Sequence, residues 1–148
     1  MKKGCFIIVI IIVLVPILLL YVPQTVNDIC CLQFKNEVEA DIEATEGVEN
    51  IKTVYKCGNT SGTGDHTELW VAVMIKTELT YDALCEKISC NSITRIEEVD
   101  KYSFPHFADE ELFSMLLEHS TAKKENEQYY IFQFTKPAPL SWLDIRGM

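Results

Sequence analysis

The chain of 148 residues carries 22 acidic and 13 basic side chains, which gives a formal net charge of −9 at pH 7. A surface with this excess of negative charge repels phosphate backbones, so the composition argues against a nucleic-acid-binding protein. The same charges are typical of a solvated surface that keeps a domain soluble.

The start of the chain predicts a transmembrane helix. Residues 5–22 carry no charge and are almost wholly aliphatic. As a helix they would be about 27 Å long, which is close to the roughly 30 Å hydrocarbon core of a bilayer. The alternative is a cleaved signal peptide, but its small-residue cleavage site is missing after the apolar run.

The flanking charges predict the orientation of this span. Lys2 and Lys3 precede it, whereas no basic residue follows it before Lys35. The positive-inside rule therefore places the N-terminus in the cytoplasm. We expect a single-pass protein of the cell membrane, with a signal-anchor helix at 1–23 and an extracytoplasmic domain at 24–148.

The segment after the span predicts an amphipathic helix. Asn27 is expected to cap its start, Gly47 to close its end, and Pro23 to separate it from the span. The apolar residues that share one face at helical spacing are Cys31, Phe34, Val38 and Ile42.

Two strand-like segments come next. Residues 51–57 alternate in the manner of a half-buried strand. In residues 69–75 both alternating sets of side chains are apolar, which predicts a strand in the middle of a sheet.

The second half of the chain contains fewer clear signals of secondary structure. A short helix is expected after Thr80, and another is expected to begin at Asp109. Residues 91–101 keep no clear period, so they are either an edge strand or irregular chain. Residues 128–134 predict the last strand. The tail at 140–148 retains enough apolar side chains that we expect it to pack back on the sheet.

This order of elements predicts the fold class. Helices and strands that do not alternate regularly suit a two-layer α+β domain. We expect one such domain after the transmembrane helix, with a mostly antiparallel sheet of three or four strands and about three helices.

The stretch GNTSGTGDH, residues 58–66, connects the first two predicted strands. It is not a phosphate-binding loop, because its glycines lack the required spacing and no lysine precedes a helix. It is either a hairpin connection or, being longer than most such loops, a binding site for a protein or small ligand. The candidate binding residues are Gly58, Asn59, Ser61, Asp65 and His66.

The two ends of this loop also carry candidate catalytic residues. Cys57 and His66 flank it, so a cross-strand pairing could bring a thiol close to an imidazole. Asp65 or Glu68 would then orient the imidazole. No motif for oxyanion stabilisation accompanies the pair.

The remaining cysteines and histidines give weaker signals. Five cysteines follow the span, so at least one stays free or pairs between chains. Cys85 and Cys90 are candidates for a disulfide if the helix between them ends near Ile88. The histidines lack the spacing of a zinc-binding helix, and we expect neither a metal nor a cofactor.

These observations leave two functions. The first is a membrane-anchored, non-enzymatic domain that binds a protein or small ligand outside the cell. The alternative is a small membrane-tethered enzyme, thiol-dependent or hydrolytic, that uses Cys57 and His66.

Overall fold

The computed structural model describes residues 3–60, 66–88, 93–98 and 128–147. It has an α+β fold, with a long apolar N-terminal helix and an antiparallel sheet. The elements in chain order are α1 (Lys3–Glu43), β1 (Val48–Gly58), β2 (Glu68–Thr77), α2 (Tyr81–Lys87), β3 (Ile93–Glu98) and β4 (Gln128–Pro137), followed by 3-10 turns at Ser141–Leu143 and Ile145–Gly147.

The four described strands form one sheet in the order β1-β2-β4-β3, and every neighbouring pair is antiparallel. The central position predicted for β2 is confirmed, because β2 lies between β1 and β4 and is buried along most of its length. The ambiguous segment contains a strand, β3, which pairs with β4.

The helix α1 runs without interruption through both the apolar span and the amphipathic segment. The predicted break at Pro23 is therefore wrong, and Asn27 lies inside the helix rather than at its start. Pro16 and Pro23 each remove one backbone hydrogen bond, but the bonds on either side are enough to hold a long helix together. Beside the second proline, the Thr25 hydroxyl donates to the Tyr21 carbonyl at 2.9 Å.

The predicted apolar face of α1 is confirmed. All four of its side chains are buried against the sheet, where they meet side chains of β2 and β4. Leu84 and Ile88 of the α2 region join the same layer. The residues that form this helix-side core include Cys31, Phe34, Val38, Ile42, Leu69, Val71, Val73, Ile75, Phe132 and Phe134.

The opposite face of the sheet is apolar and buried as well. Its side chains come from the three neighbouring strands β1, β2 and β4, and they include Val54, Trp70, Met74 and Ile131.

The helix predicted to begin at Asp109 lies outside the described residues.

A bulge in β1 changes which of its side chains share a face. The pairing of β1 with β2 shifts between Asn50 and Lys52, so Ile51 is an extra residue. As a result Ile51 packs on the same side as Val54. Tyr55 is exposed, although simple alternation groups it with Ile51.

Gly47 connects α1 to β1 instead of closing the helix. The helix ends at Glu43, and Gly47 adopts a φ of +86°, which side chains with a Cβ rarely adopt. Its carbonyl accepts a hydrogen bond of 2.6 Å from the Thr77 hydroxyl. The glycine therefore reverses the chain at the point where β1 meets the end of β2.

The tail folds back, but not by burying its apolar side chains on the sheet. Its 3-10 turns pack against α1, and Trp142 and Ile145 remain exposed. Polar contacts to α1 hold the tail instead.

Candidate functional site

The two described ends of the connection between β1 and β2, residues 59–60 and 66–67, lie at the same end of the domain as the tail and the start of the buried part of α1. The Cys31 thiol donates to the Lys56 carbonyl at 3.3 Å, so this turn of α1 is level with the last residues of β1. The Asn59 amide donates to the Arg146 carbonyl at 3.3 Å. Because α1 continues from here into the apolar span, this is the end of the domain nearest to the span.

A single carboxylate organises the base of the loop. One oxygen of Glu68 accepts a hydrogen bond of 2.6 Å from the Thr60 hydroxyl. Its other oxygen lies 3.1 Å from His66 Nε2. Glu68, one of the two residues expected to orient the imidazole, therefore contacts it. Ser61 and Asp65 lie outside the described residues, so their part in a binding site stays a prediction.

The structure does not place the Cys57 thiol at the His66 imidazole. Cys57 pairs across the strands with Leu69, and both pack into the helix-side core. Glu68 precedes Leu69 in β2, so its side chain alternates to the other face of the sheet. Glu68 contacts the imidazole there, whereas the thiol lies 3.6 Å from Arg146 Nη2.

The environment of Cys57 also disfavours its thiolate. Burial raises the pKa of the Cys57 thiol to about 12, although the nearby Arg146 guanidinium opposes the change. Burial likewise raises the pKa of the Cys31 thiol. At neutral pH Cys57 is therefore a protonated thiol, which is a poor nucleophile. The enzymatic interpretation stays a prediction, and the described geometry gives it no support.

A polar cluster with two buried members, Asn27 and Asp144, joins the tail to α1. We call it the tail cluster, and it consists of Asn27, Asp28, Asp144, Arg146 and the backbone carbonyl of Gln24. The Asn27 amide nitrogen donates to Asp144 Oδ2 at 2.9 Å, and its oxygen accepts from the Leu140 backbone amide at 3.1 Å. Both side chains are buried, so each satisfies the other where water is excluded.

Arg146 completes the tail cluster. Its Nε and Nη2 donate to the two oxygens of Asp144 at 2.9 and 2.7 Å, which is a bidentate pair. Its Nη1 donates to Asp28 Oδ1 at 2.6 Å, and Nη2 also lies 3.2 Å from the Gln24 carbonyl. One guanidinium therefore links the tail to two successive turns of α1.

The charges of the tail cluster stabilise each other. Burial raises the pKa of the Asp144 carboxyl, but hydrogen bonds from Arg146 and Asn27 outweigh it and lower that pKa to about 2. The hydrogen bonds to Asp144 raise the pKa of the Arg146 guanidinium above its ordinary value. The pair is thus ionised throughout the physiological pH range.

Sequence reasoning missed the tail cluster. Asn27 resembles a helix cap when only its neighbours are considered, and its partner Asp144 is 117 positions away. The local signal that could have indicated the cluster is the spacing of Asp144 and Arg146, two opposite charges that are two residues apart.

The cysteines and the other potential metal-binding side chains among the described residues form no disulfide and no metal site. Cys30, Cys31 and Cys57 are free thiols. Cys90 and the side chain of Cys85 lie outside the described residues, so their disulfide stays a prediction. No group of three metal-binding side chains occurs within the described ranges.

Comparisons of the chain with models of protein families, with curated proteins and with solved structures find no match.

Proposed function

We propose that this protein is a single-pass membrane protein whose extracytoplasmic domain binds a partner at the membrane surface without catalysing a reaction. The observation that carries the proposal is the difference in burial between the two halves of α1. From residue 10 to 22 the helix is exposed, whereas from Asn27 onward one face of it belongs to the core of the domain.

The exposed half of α1 requires an apolar environment. Its side chains are mostly Ile, Leu and Val, and the described helix is long and apolar enough to cross a membrane. Leaving such side chains in water costs about 1.5–3 kcal/mol each relative to burial. A lipid bilayer removes this cost, and Lys2 and Lys3 favour the orientation with the domain outside.

The continuity of α1 bears on where a partner binds. No flexible linker separates the span from the domain, so the end that carries the loop stays close to the lipid headgroups. A partner that reaches Asn59 or His66 has to approach along the membrane surface. This favours another membrane-associated protein over a freely diffusing small molecule as the partner.

The orientation is tested by labelling paired cysteine variants with a membrane-impermeant maleimide. Glu43→Cys lies on the exposed surface at the end of α1, and Gly4→Cys precedes the apolar span and keeps both Lys2 and Lys3. In intact cells we expect Glu43→Cys to be labelled above the parent chain. Gly4→Cys should be labelled above the parent chain only after permeabilisation. The reverse pattern would place the domain in the cytoplasm.

The binding role of the loop is tested by photocrosslinking in native membranes. A photoreactive amino acid at position 61, within the loop, should give a discrete protein adduct. The matched control at position 43, at the opposite end of the domain, should give none. Equal adducts from both positions, or no adduct from position 61, would contradict a specific binding role for the loop.

No described contact favours the alternative of a thiol-dependent or hydrolytic enzyme. The Cys57 thiol and the His66 imidazole have different partners on opposite faces of the sheet.

A further inference from the structure

Two large apolar side chains of the tail point into solvent. Trp142 is 73 % exposed and Ile145 is 47 % exposed. Tryptophan is highly buried on average in soluble domains, so an indole this exposed requires an explanation. Both residues lie in the 3-10 turns that the tail cluster holds against α1.

The tail cluster fixes the height of these turns relative to the span. Arg146 bonds to the Gln24 carbonyl, and Asp144 bonds to Asn27. Along a helix, Gln24 and Asn27 lie only about 3 and 7.5 Å beyond Val22, the last apolar residue of the span. The headgroup layer on each side of the hydrocarbon core is roughly 5–8 Å thick. The turns therefore lie at the depth of the headgroups.

The same contacts set the direction of the exposed side chains. Asp144 and Arg146 both reach toward α1, and Ile145 between them remains on the outside of the turn. Trp142 lies one residue after Ser141, whose hydroxyl accepts a hydrogen bond from the Thr67 amide. The backbone next to each exposed side chain is thus held in place by a hydrogen-bonded neighbour.

We infer that Trp142 and Ile145 insert into the headgroup region of the membrane that α1 crosses, and form a second contact between the domain and the lipid. The inference rests on the proposed membrane anchor. An indole has an apolar ring and one N–H donor, which is why tryptophan is enriched at the interface between lipid and water. This contact needs no anionic lipid, so it is compatible with the acidic composition of the chain.

The inference is tested by tryptophan fluorescence of the full chain in phosphatidylcholine vesicles. The chain contains only two tryptophans. The variant Trp70→Phe leaves Trp142 as the only emitter, and the matched control Trp142→Phe leaves Trp70, which is buried in the sheet and bonded to Gln133. Lipids brominated on the acyl chain near the headgroup should quench Trp142 several-fold more strongly than Trp70.

If Trp70→Phe disturbs the fold, the difference between the wild-type chain and Trp142→Phe reports the same quantity. Trp142 is exposed, so its substitution leaves the core intact. Quenching of Trp142 by aqueous iodide, without quenching by the brominated lipid, would show that the side chain faces water and would overturn the inference. Protection from both quenchers would also overturn it, because a protein surface would then cover Trp142.

Extraction with alkaline carbonate separates these results from a failure of the anchor. A chain that leaves the membrane contradicts the proposed function itself. A chain that stays in the membrane while Trp142 remains unquenched by lipid contradicts only the second contact.

Discussion

Replacing Arg146 by alanine should lower the free energy of unfolding by about 3 kcal/mol or more. The Asp144 side chain is fully buried, and Arg146 supplies its charge partner and two of its hydrogen bonds. Without the guanidinium, Asp144 keeps a negative charge in a place from which water is excluded. The Asn27 amide and the backbone amide of residue 146 still donate to it, but neither brings a compensating charge. Denaturant titration of the full chain in detergent micelles measures the change.

Lys35→Ala is the matched control for Arg146→Ala. Lys35 also forms an ion pair, with Glu39 one helical turn away, but this pair is partly solvated. Its loss should cost less than about 0.5 kcal/mol. Equal effects of the two substitutions would show that the tail cluster contributes no more than a surface ion pair.

Acid should reduce the difference between the wild-type chain and Arg146→Ala. In the wild type the pKa of Asp144 is lowered to about 2, so its ionised form stabilises the fold above the unfolded pKa of about 4. That contribution, about 2 kcal/mol, is lost as the pH falls from about 4 toward 2. The variant lacks the guanidinium, whose hydrogen bonds and charge lower the pKa of Asp144, so the two unfolding free energies should converge in this range.

The second large effect is expected from shortening α1. A chain that begins at Ala44 lacks the buried side chains of Phe34, Val38 and Ile42. At about 2 kcal/mol each, this loss is about 6 kcal/mol, which is comparable to the total stability of an ordinary domain. We expect this chain not to fold, as judged by the absence of a cooperative thermal transition in circular dichroism.

A chain that begins at Gln24 is the control for this truncation. It loses the apolar span but keeps the buried face of α1 and the backbone carbonyl that binds Arg146. It should fold as a water-soluble domain. Cooperative folding of the chain that begins at Ala44 would contradict the role of α1 as a core element, and failure of the longer chain would show that the domain depends on its membrane span.

The features that sequence predicted correctly are those set by local periodicity. The buried face of α1 follows from apolar residues repeating at helical spacing, and the central place of β2 follows from its two apolar faces. Both signals lie within a single element. They require no knowledge of what the element packs against.

The features that sequence missed depend on contacts between distant parts of the chain. Pro23 was read as a break because a proline usually ends a helix in water, although long helices that cross membranes tolerate it. Simple alternation along residues 51–57 groups Ile51 with Tyr55, whereas a bulge in β1 puts Ile51 on the side of Val54. The role of Arg146 requires Gln24 and Asp28, which are more than a hundred positions away.

Because α1 continues without a break through Pro23, the rotation of the domain about the helix axis is fixed relative to the apolar span. Successive residues of an α-helix are turned by about 100° relative to one another. The direction in which the loop points around this axis therefore depends on which residues of the span face a neighbouring helix and which face the lipid. Adding or removing one residue between Val22 and Asn27 would turn the whole domain by more than a quarter of a circle. In the proposed membrane arrangement, the length of this short segment thus decides which side of the domain a neighbouring membrane protein meets.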